Sequence, residues 1–321
     1  MSQAENNPYK YSDTNKRYQT YDYYLKHRFG KKCAKITLDL GFSCPNIDGT
    51  RGYGGCIYCL GGSKSENCRE IKDVSEQYRL GISQAKRKWD VSSFIPYLQS
   101  YTNTHTDLKT LKAVLERVSC LEGAIMIDIA TRADCLENEK LEIINHLSER
   151  IPVTIELGLQ SSNDETAEKI NRCHSYIEFE DCFKRIRKFA PRVKIGVHII
   201  NGLPGEGYDE MMKTARDVSL LCPDLVKIHL LHVLEGTRLA KMYKSGEYTP
   251  IDREEYIKTV CDQIEILPPH TVIERVTGDG IASELLAPLW SRKKVTVIND
   301  IDKELYRRGS YQGIYYESKE V

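Results

Sequence analysis

The sequence predicts an α/β protein whose main domain is a parallel sheet built from βα units. Six short apolar runs rich in β-branched residues alternate with helical patterns between residues 34 and 233. Such runs are typical of strands buried on both faces, and their alternation with helices is typical of a parallel sheet. Polar side chains gather where successive runs end, and a cysteine-rich loop follows the first run. Because parallel strands end at one edge, we expect the active face there.

The elements follow in chain order. The predicted strands are residues 34–40, 94–102, 124–131, 152–159, 193–200 and 225–233. The predicted helices between them are residues 74–89, 107–119, 137–150, 163–189 with an interruption, and 208–221. From about residue 250 the pattern changes to a helix near 252–266, a strand-like segment at 271–278, a basic run, and a last helix near 299–309. These patterns divide the chain into an N-terminal arm (1–30), a main domain (31–250) and a C-terminal extension (251–321).

The N-terminal arm is polar and rich in tyrosine. Two interpretations stay open: the rings pack on the main domain, or they form a surface on which a nucleic-acid base stacks. No apolar stretch approaches the roughly 18 residues of a membrane span, and the start of the chain does not resemble a signal peptide. We therefore expect a cytoplasmic protein without a membrane partner, in a compartment that keeps thiols reduced.

Composition argues against a protein that coats nucleic acid unselectively. The 46 Lys and Arg residues balance 46 Asp and Glu residues, so the formal net charge is zero. A local basic face is still compatible with that balance. Runs of cations that could contact phosphate or form ordinary solvated helix faces are Lys86–Lys88, Lys184–Lys188, Arg292–Lys294 and Arg307–Arg308.

The loop "GFSCPNIDGTRGYGGCIYC", residues 41–59, carries three of the 11 cysteines. Clustered thiols in a reducing compartment indicate a metal site or catalysis. Structural zinc needs four ligands, so a zinc site is possible if Cys33 or Cys68 joins Cys59. A [4Fe–4S] cluster held by three cysteines instead leaves one iron open, and that iron can chelate the amine and carboxylate of S-adenosylmethionine (SAM). The electron that the cluster donates then breaks an S–C bond and yields a radical that abstracts hydrogen.

The end of the loop, "CIYC", resembles the radical SAM superfamily. The long gap between Cys44 and Cys56 resembles its elongator-catalytic-subunit-like branch, and within that branch the YhcC/YtqA group. The similar segments include "ELGLQ", "INRCH", "HIINGLPGE" and "RVTGDG", with the start and end of the chain closer to the YtqA side. Departures from the group's usual residues are Leu40, Ile47, Ala133 and Cys173.

The resemblance implies a partial (β/α)6 barrel with a short N-terminal arm and a C-terminal appendage. It implies a [4Fe–4S] cluster held by Cys44, Cys56 and Cys59, with SAM as second cofactor. The implied cofactor contacts are Tyr58, Gln99, Thr131, Arg132, Glu156, Gln160, Arg172 and Asn201. The candidate catalytic residues are His198, His229 and His232.

The YtqA-like subgroup is associated with the C5 side chain of the tRNA wobble uridine. The resemblance implies conversion of a carboxymethylaminomethyl group into an aminomethyl group, with tRNA as partner and an electron donor such as flavodoxin or ferredoxin. Two alternatives stay open. One is a radical SAM enzyme that acts on a protein or a small metabolite, and the other is a zinc-stabilised RNA-binding module. The sequence leaves the oligomeric state open.

Overall fold

A computed structural model of the chain describes residues 7–61, 68, 71–278 and 283–317. Seven parallel strands form one sheet in the order β1-β2-β3-β4-β5-β6-β8. These strands are Cys33–Leu38 (β1), Ser93–Leu98 (β2), Ile127–Thr131 (β3), Val153–Gln160 (β4), Lys194–Asn201 (β5), Leu225–Leu230 (β6) and Val272–Arg275 (β8). A separate antiparallel pair is formed by Val233–Leu234 (β7) and Leu285–Ala287 (β9).

The helices follow the predicted alternation. They are Tyr21–Phe29 (α1), Val74–Lys88 (α2), Leu108–Ser119 (α3), Asn138–Leu147 (α4), Asp164–Lys169 (α5), Tyr176–Phe189 (α6), Tyr208–Leu221 (α7), Arg238–Ser245 (α8), Arg253–Ile266 (α9) and Lys294–Arg307 (α10). Local chemistry explains several starts: the side chain of Asp107 accepts from an N–H in the first turn of α3, and Ser175 with Glu178 forms a capping box on α6. Such caps satisfy N–H groups that have no partner inside the helix.

The α/β prediction and the partial barrel are confirmed. All six predicted strands are present, and each pairs in parallel with the next. The second predicted strand ends at Leu98 rather than at residue 102, and the sixth ends at Leu230, with β7 as a separate short strand. The last helix begins at Lys294, five residues before the predicted start near 299. Strand ends are less regular than strand centres, so these shifts are ordinary.

The N-terminal arm spans the gap between the two edge strands of the sheet. Thr20 forms a parallel bridge with Ile273 of β8, and α1 contacts both β1 and β8. Leu25 of α1 is buried in an apolar cluster with Ile95 and Met126. Both tyrosines 9 and 18 are also buried. The arm therefore packs on the main domain, as the first of the two interpretations expects.

The C-terminal part of the chain contributes to the same sheet, since β8 pairs with β6. Helix α10 packs against α9, which in turn packs against α7. The domain boundaries at residues 30 and 250 stay predictions. Among the residues that the structure describes, no helix has the length and apolarity needed to cross a membrane.

Candidate active site

A cavity of about 680 Å³ lies within the curved sheet. All three loop cysteines line it. The other predicted site residues on its wall are Tyr58, Gln99, Thr131, Arg132, Glu156, Gln160, Arg172, His198 and His229. The structure therefore brings twelve of the fourteen predicted site residues to one cavity. This convergence follows from the topology, because the loop after β1 and the ends of β2, β3 and β4 share one edge of the sheet.

The cysteine loop is anchored to the segment between β4 and α6. The Asn171 side-chain amide donates to the carbonyls of Tyr53 and Gly55, at 3.1 and 2.8 Å. Arg238 of α8 donates to the same Gly55 carbonyl at 2.7 Å. The backbone N–H of Ile57 also donates to the carbonyl of residue 170. These bonds satisfy carbonyls that a glycine-rich loop would otherwise leave to water, and they hold the loop against the barrel.

Unusual backbone conformations gather around the cavity. Five non-glycine residues in the described chain have positive φ, and four of them are Tyr101, Gln160, Asn171 and Cys173. Tyr101 and Gln160 line the cavity, while Asn171 anchors the loop. A positive φ at a residue other than glycine costs conformational energy, so it persists only where the surrounding structure requires it. Such conformations are most common at functional sites.

One cation, Arg132, lies close to the thiols. Burial raises the pKa of the Cys56 thiol to about 11, and the neighbouring Arg132 acts in the opposite direction. Asp134 holds Arg132 in place through two hydrogen bonds of 2.9 and 2.8 Å. The side chain of Asn46 donates to the Cys56 sulfur at 3.6 Å. Soft thiolates with a cation and N–H donors beside them are the surroundings that an iron–sulfur cluster needs, so the residues present fit one.

The cysteines proposed as extra zinc ligands lie elsewhere. Cys33 is at the amino end of β1, and its thiol donates to the carbonyl of Lys31. Cys68 is buried, with its thiol 3.4 Å from the carbonyl of Thr37 and from the side chain of Gln77. Neither cysteine lines the cavity. Among the described residues, no three His, Cys, Asp or Glu side chains converge on a site for a single metal ion.

The strand-end residues differ in how free their polar groups are. A register shift in β4 turns Gln160 toward the cavity, and a Cβ at Gly158 would lie only 2.8 Å from its amide nitrogen. Thr131 is 2.5 Å from the hydroxyl of Thr104. Arg172 is buried and donates to backbone carbonyls, two of these bonds reaching residue 174 at 3.1 and 2.9 Å. Arg172 therefore braces the chain at the cavity wall.

A cluster of charged side chains fills the interior of the sheet below the cysteines. We call it the interior charge cluster; its members are Lys35, Asp128, Glu156, His198, Lys227 and Glu274. Lys35 contacts Asp128 at 2.6 Å and Glu156 at 2.8 Å, and it also pairs with Glu274. Because Lys35 is on β1 and Glu274 on β8, this last pair joins the two edge strands.

Glu156 is the centre of that cluster. Its carboxylate accepts from Lys35 at 2.8 Å, from Lys227 at 2.5 Å and from His198 at 2.9 Å. Its pKa is depressed because the two ammonium groups outweigh the effect of burial. Burial lowers the pKa of His198 to about 4, and the charge of Lys227 adds to that shift. His198 is therefore a neutral imidazole at neutral pH, held by an ionised carboxylate.

Two predicted site residues do not line the cavity. The side-chain amide of Asn201 exchanges two hydrogen bonds, of 2.9 and 2.8 Å, with that of Gln263 in the core. His232 lies beside Gly278, beyond the end of β6. By contrast, the ring of His229 lies 5.2 Å from that of His198. The roles proposed for Asn201 and His232 stay predictions without support from their position.

His174 is a further residue of the cavity wall that was not predicted from the sequence. This residue is 5% exposed and lines the cavity, yet neither imidazole nitrogen has a hydrogen-bond partner among the described residues. Burial lowers the pKa of His174 to about 3, and the charges of Arg172 and Arg132 lower it further. The signal was available in the segment "INRCH", but nothing in the sequence shows that its histidine faces the cavity. The lysines and acids of the interior charge cluster were missed as well, except for Glu156.

Most of the predicted basic runs are neutralised by neighbours. Arg185 and Arg187 pair with acids at 2.8 Å each, and Arg308 contacts Asp262 and two further acids. The run Lys86–Lys88 is exposed and forms no ion pair within the described part of the chain. Lys88 also lines the cavity, together with Trp89, which is 46% exposed.

Comparison with known proteins assigns the family. Residues 49–218 match the family model described as "Radical SAM superfamily", and residues 223–307 match the model described as "Radical_SAM C-terminal domain". A solved structure of Elp3 from Methanocaldococcus infernus, lacking residues 1–46, has the same fold with a TM-score of 0.65 at 20% identity, over 87% of this chain and 64% of that one. The chain therefore belongs to the radical SAM superfamily, and the resemblance inferred from its cysteine loop is confirmed.

Two individual proteins are more similar to this chain in sequence than the Elp3 structure is. The chain is 40% identical over 317 residues to the uncharacterized protein YtqA of Bacillus subtilis strain 168, across 98% of both proteins. It is 31% identical over 275 residues to the tRNA uridine(34) acetyltransferase of Methanocaldococcus jannaschii. That alignment covers 71% of this chain and 49% of the acetyltransferase, so the chain spans about half of that relative's length.

Proposed function

We propose that this radical SAM enzyme holds a [4Fe–4S] cluster on Cys44, Cys56 and Cys59, cleaves SAM, and modifies the C5 side chain of the wobble uridine in tRNA. The observation that carries the proposal is the cavity inside the sheet, which is lined by the three loop cysteines together with the polar strand-end side chains. The similarity to a tRNA uridine(34) acetyltransferase supports the choice of substrate.

When bound, the two cofactors would supply a carbon-centred radical that removes a hydrogen atom from an unreactive C–H bond. The chain's own residues would bind SAM and the substrate and hold them in orientation. Arg132, clamped by Asp134, offers a fixed guanidinium for a carboxylate of SAM. Gln99 and Gln160 offer amides on the same wall, and His174 offers two unpartnered ring nitrogens. Groups that are held in place before binding orient a substrate at little cost when the reaction occurs.

The proposed reaction shortens the side chain from carboxymethylaminomethyl to aminomethyl. Loss of a hydrogen atom next to the secondary amine, followed by loss of one electron and one proton, gives an imine. The proposed electron donor is a protein of the flavodoxin or ferredoxin class, which would reduce the cluster before SAM is cleaved. The oxidised form of the same carrier would take up the electron that the substrate radical loses. Water then adds to the imine, and glyoxylate leaves with the two carboxymethyl carbons.

His198 is suited to assist the addition of water. Its Nε2 donates to the ionised Glu156, which leaves Nδ1 as the acceptor of the neutral ring. An imidazole accepts a proton only in its unprotonated form, and the lowered pKa of His198, about 4, keeps the ring in that form at neutral pH. His229, 5.2 Å away between ring centres, is a second neutral imidazole on the same wall.

An RNA substrate would need contacts to phosphate outside the cavity. The exposed run Lys86–Lys88 supplies three cations that no described acid neutralises. Trp89 beside them offers an aromatic face at the cavity, and an unstacked base could pack on such a face. This run is our proposed point of approach for the anticodon region.

The test is anaerobic turnover of tRNA purified from cells that lack this protein, with SAM and a reductant, followed by mass spectrometry of the nucleosides. We expect the wobble uridine to lose two carbons and an equal amount of glyoxylate to appear. Cys56→Ala should abolish both products and lower the iron content, whereas Cys120→Ala, which changes an exposed cysteine, should leave both unchanged. SAM cleavage without any change in the tRNA nucleosides would refute the tRNA substrate and favour a protein or small metabolite.

A further inference from the structure

Two buried polar atoms on side chains of the cavity wall lack a hydrogen-bond partner within the part of the chain that the structure describes. The Oε2 atom of Glu274 and the Nε2 atom of His229 are shielded from solvent and have no hydrogen-bond partner among the described residues. Both side chains line the cavity. Buried polar atoms are nearly always satisfied, so an unpartnered polar atom in a cavity wall points to a partner that a ligand brings. A carboxylate oxygen accepts, and a neutral imidazole with its proton on Nδ1 accepts at Nε2, so an N–H group of a ligand would satisfy both atoms.

The charges around these atoms favour a cationic donor. The interior charge cluster contains three carboxyl groups, on Asp128, Glu156 and Glu274, but only the two ammonium groups of Lys35 and Lys227. Glu274 side-chain atoms are 7% exposed, and one of its oxygens already contacts both lysines. Its second oxygen is the orphan, so an ammonium group there would balance the surplus carboxylate.

A cation that could pair with a carboxylate of the same ligand lines the cavity as well. Arg275 follows Glu274 on β8, lines the same cavity, and is close enough to His229 to help lower the pKa of that ring. An amine bound at Glu274 would therefore have a guanidinium in the same cavity. A ligand with both an amine and a carboxylate, separated by one carbon, matches this pair of charges.

We propose that Glu274 and His229 form an amine site for an N-substituted glycine group, with Arg275 facing the carboxylate of that group. The inference rests on the proposed function, because the carboxymethylaminomethyl side chain is such a group. The amine site would recognise the substrate side chain through its secondary amine, inside the curved sheet. The reacting carbon would then lie between the amine site and the cysteine loop. Glu274 and His229 are binding residues in this proposal, distinct from the His198 base.

The first experiment uses small probes and does not depend on tRNA. N-methylglycine and methoxyacetate have nearly the same size and the same carboxylate, but only N-methylglycine carries an amine. We expect the reconstituted holoenzyme with SAM to bind N-methylglycine about tenfold more tightly than methoxyacetate, as measured by ligand-observed NMR titration. Glu274→Gln should lower that ratio to about threefold or less, and His229→Phe should lower it as well.

Asp128→Asn is the matched control. It removes a carboxylate of the same interior charge cluster, but Asp128 does not line the cavity. We expect this variant to keep the preference for N-methylglycine. Equal binding of the two probes by the wild-type protein, or equal loss of the preference in Asp128→Asn and Glu274→Gln, would overturn the amine site. If Glu274→Gln fails to fold, His229→Phe decides alone.

The second experiment separates this inference from the proposed function. If the wild-type enzyme modifies tRNA and Glu274→Gln modifies it at the same rate, the amine site is refuted while the proposed function stands. If the wild-type enzyme leaves tRNA unchanged but prefers N-methylglycine over methoxyacetate, the tRNA substrate is refuted while the amine site stands.

Discussion

Lys227→Met tests whether the interior charge cluster holds the sheet together. Lys227 is 5% exposed at its side chain, and its ammonium contacts Glu156 at 2.5 Å, Glu274 at 3.1 Å and the Tyr97 hydroxyl at 3.2 Å. Methionine keeps most of the side-chain volume and removes the charge. Three buried carboxyl groups, on Asp128, Glu156 and Glu274, would then share the ammonium group of Lys35.

The expected loss in the free energy of unfolding is about 3–5 kcal/mol, the range found when one partner of a buried ion pair is removed. The lower end applies because Lys35 still contacts both Glu156 and Glu274. Lys213→Met is the matched control, since Lys213 pairs with Asp217 at 2.6 Å but is 55% exposed. An exposed pair contributes about 0–1 kcal/mol.

The loss should depend on pH with a defined sign. In the wild-type protein the pKa of Glu156 is depressed, so its contribution to stability is present above the unfolded pKa and is lost as pH falls through the folded pKa. Without Lys227, a buried carboxyl group of the folded variant has a pKa above its unfolded value. Between those two pKa values the folded variant therefore holds a proton that the unfolded chain has lost. Stability of the variant therefore falls as pH rises, and its deficit should be about 1–2 kcal/mol larger at pH 8 than at pH 5.

The assay is urea unfolding under anaerobic conditions, followed by circular dichroism at pH 5 and pH 8, for the wild type and both variants. A Lys227→Met deficit no larger than that of Lys213→Met would show that the cluster adds nothing to stability. A deficit that is the same at both pH values would show that the carboxylates do not respond to the loss of the lysine.

Three further substitutions test other parts of the structure. Leu25→Ala should cost about 2–4 kcal/mol in urea unfolding because Leu25 is 4% exposed in an apolar cluster; a loss below about 1 kcal/mol would mean that α1 is not anchored there. Asn171→Ala removes the amide bonds to Tyr53 and Gly55, so amide exchange in the cysteine loop should accelerate, and unchanged exchange would contradict that anchoring role. Cys173→Gly should leave stability unchanged or raise it by about 1 kcal/mol, because a residue at φ 62° favours glycine, whereas a measured loss above about 1 kcal/mol would show that the thiol packing outweighs the strain.

The elements that the sequence predicted correctly are those with strong local signals. The segments "PVTIELGL" and "VKIGVHII" are continuous runs of branched side chains, and such runs are typical of strands buried on both faces. The cysteine loop was placed on the active face because it follows the first strand, and the cavity position of Cys44, Cys56 and Cys59 agrees. Helix α1 was missed because its tyrosines and charges give no clear apolar face, and its burial comes from contacts with β1 and β8.

The site residues also divide into those whose position could be predicted from the sequence and those whose position could not. Gln99, Thr131, Arg132 and Gln160 follow strand ends, so their arrival at one cavity could be expected from topology alone. Asn201 also follows a strand end, but its amide is taken by Gln263 of α9, a residue 62 positions away along the chain. No local pattern reports such a partner.

By itself, the sequence determined the parallel sheet, the succession of its first six strands along the chain and the placement of three thiols on one loop. Those features depend on residues close together in the chain, through periodicity, turn chemistry and ligand type. Only the tertiary structure decided that Lys35, Asp128, Glu156, Lys227 and Glu274 form one buried cluster, and that Glu274 and His229 each keep a buried polar atom without a partner among the described residues. These residues come from five strands, β1, β3, β4, β6 and β8, with only Lys227 and His229 on the same one. They meet only when the sheet curves and brings its two edge strands together.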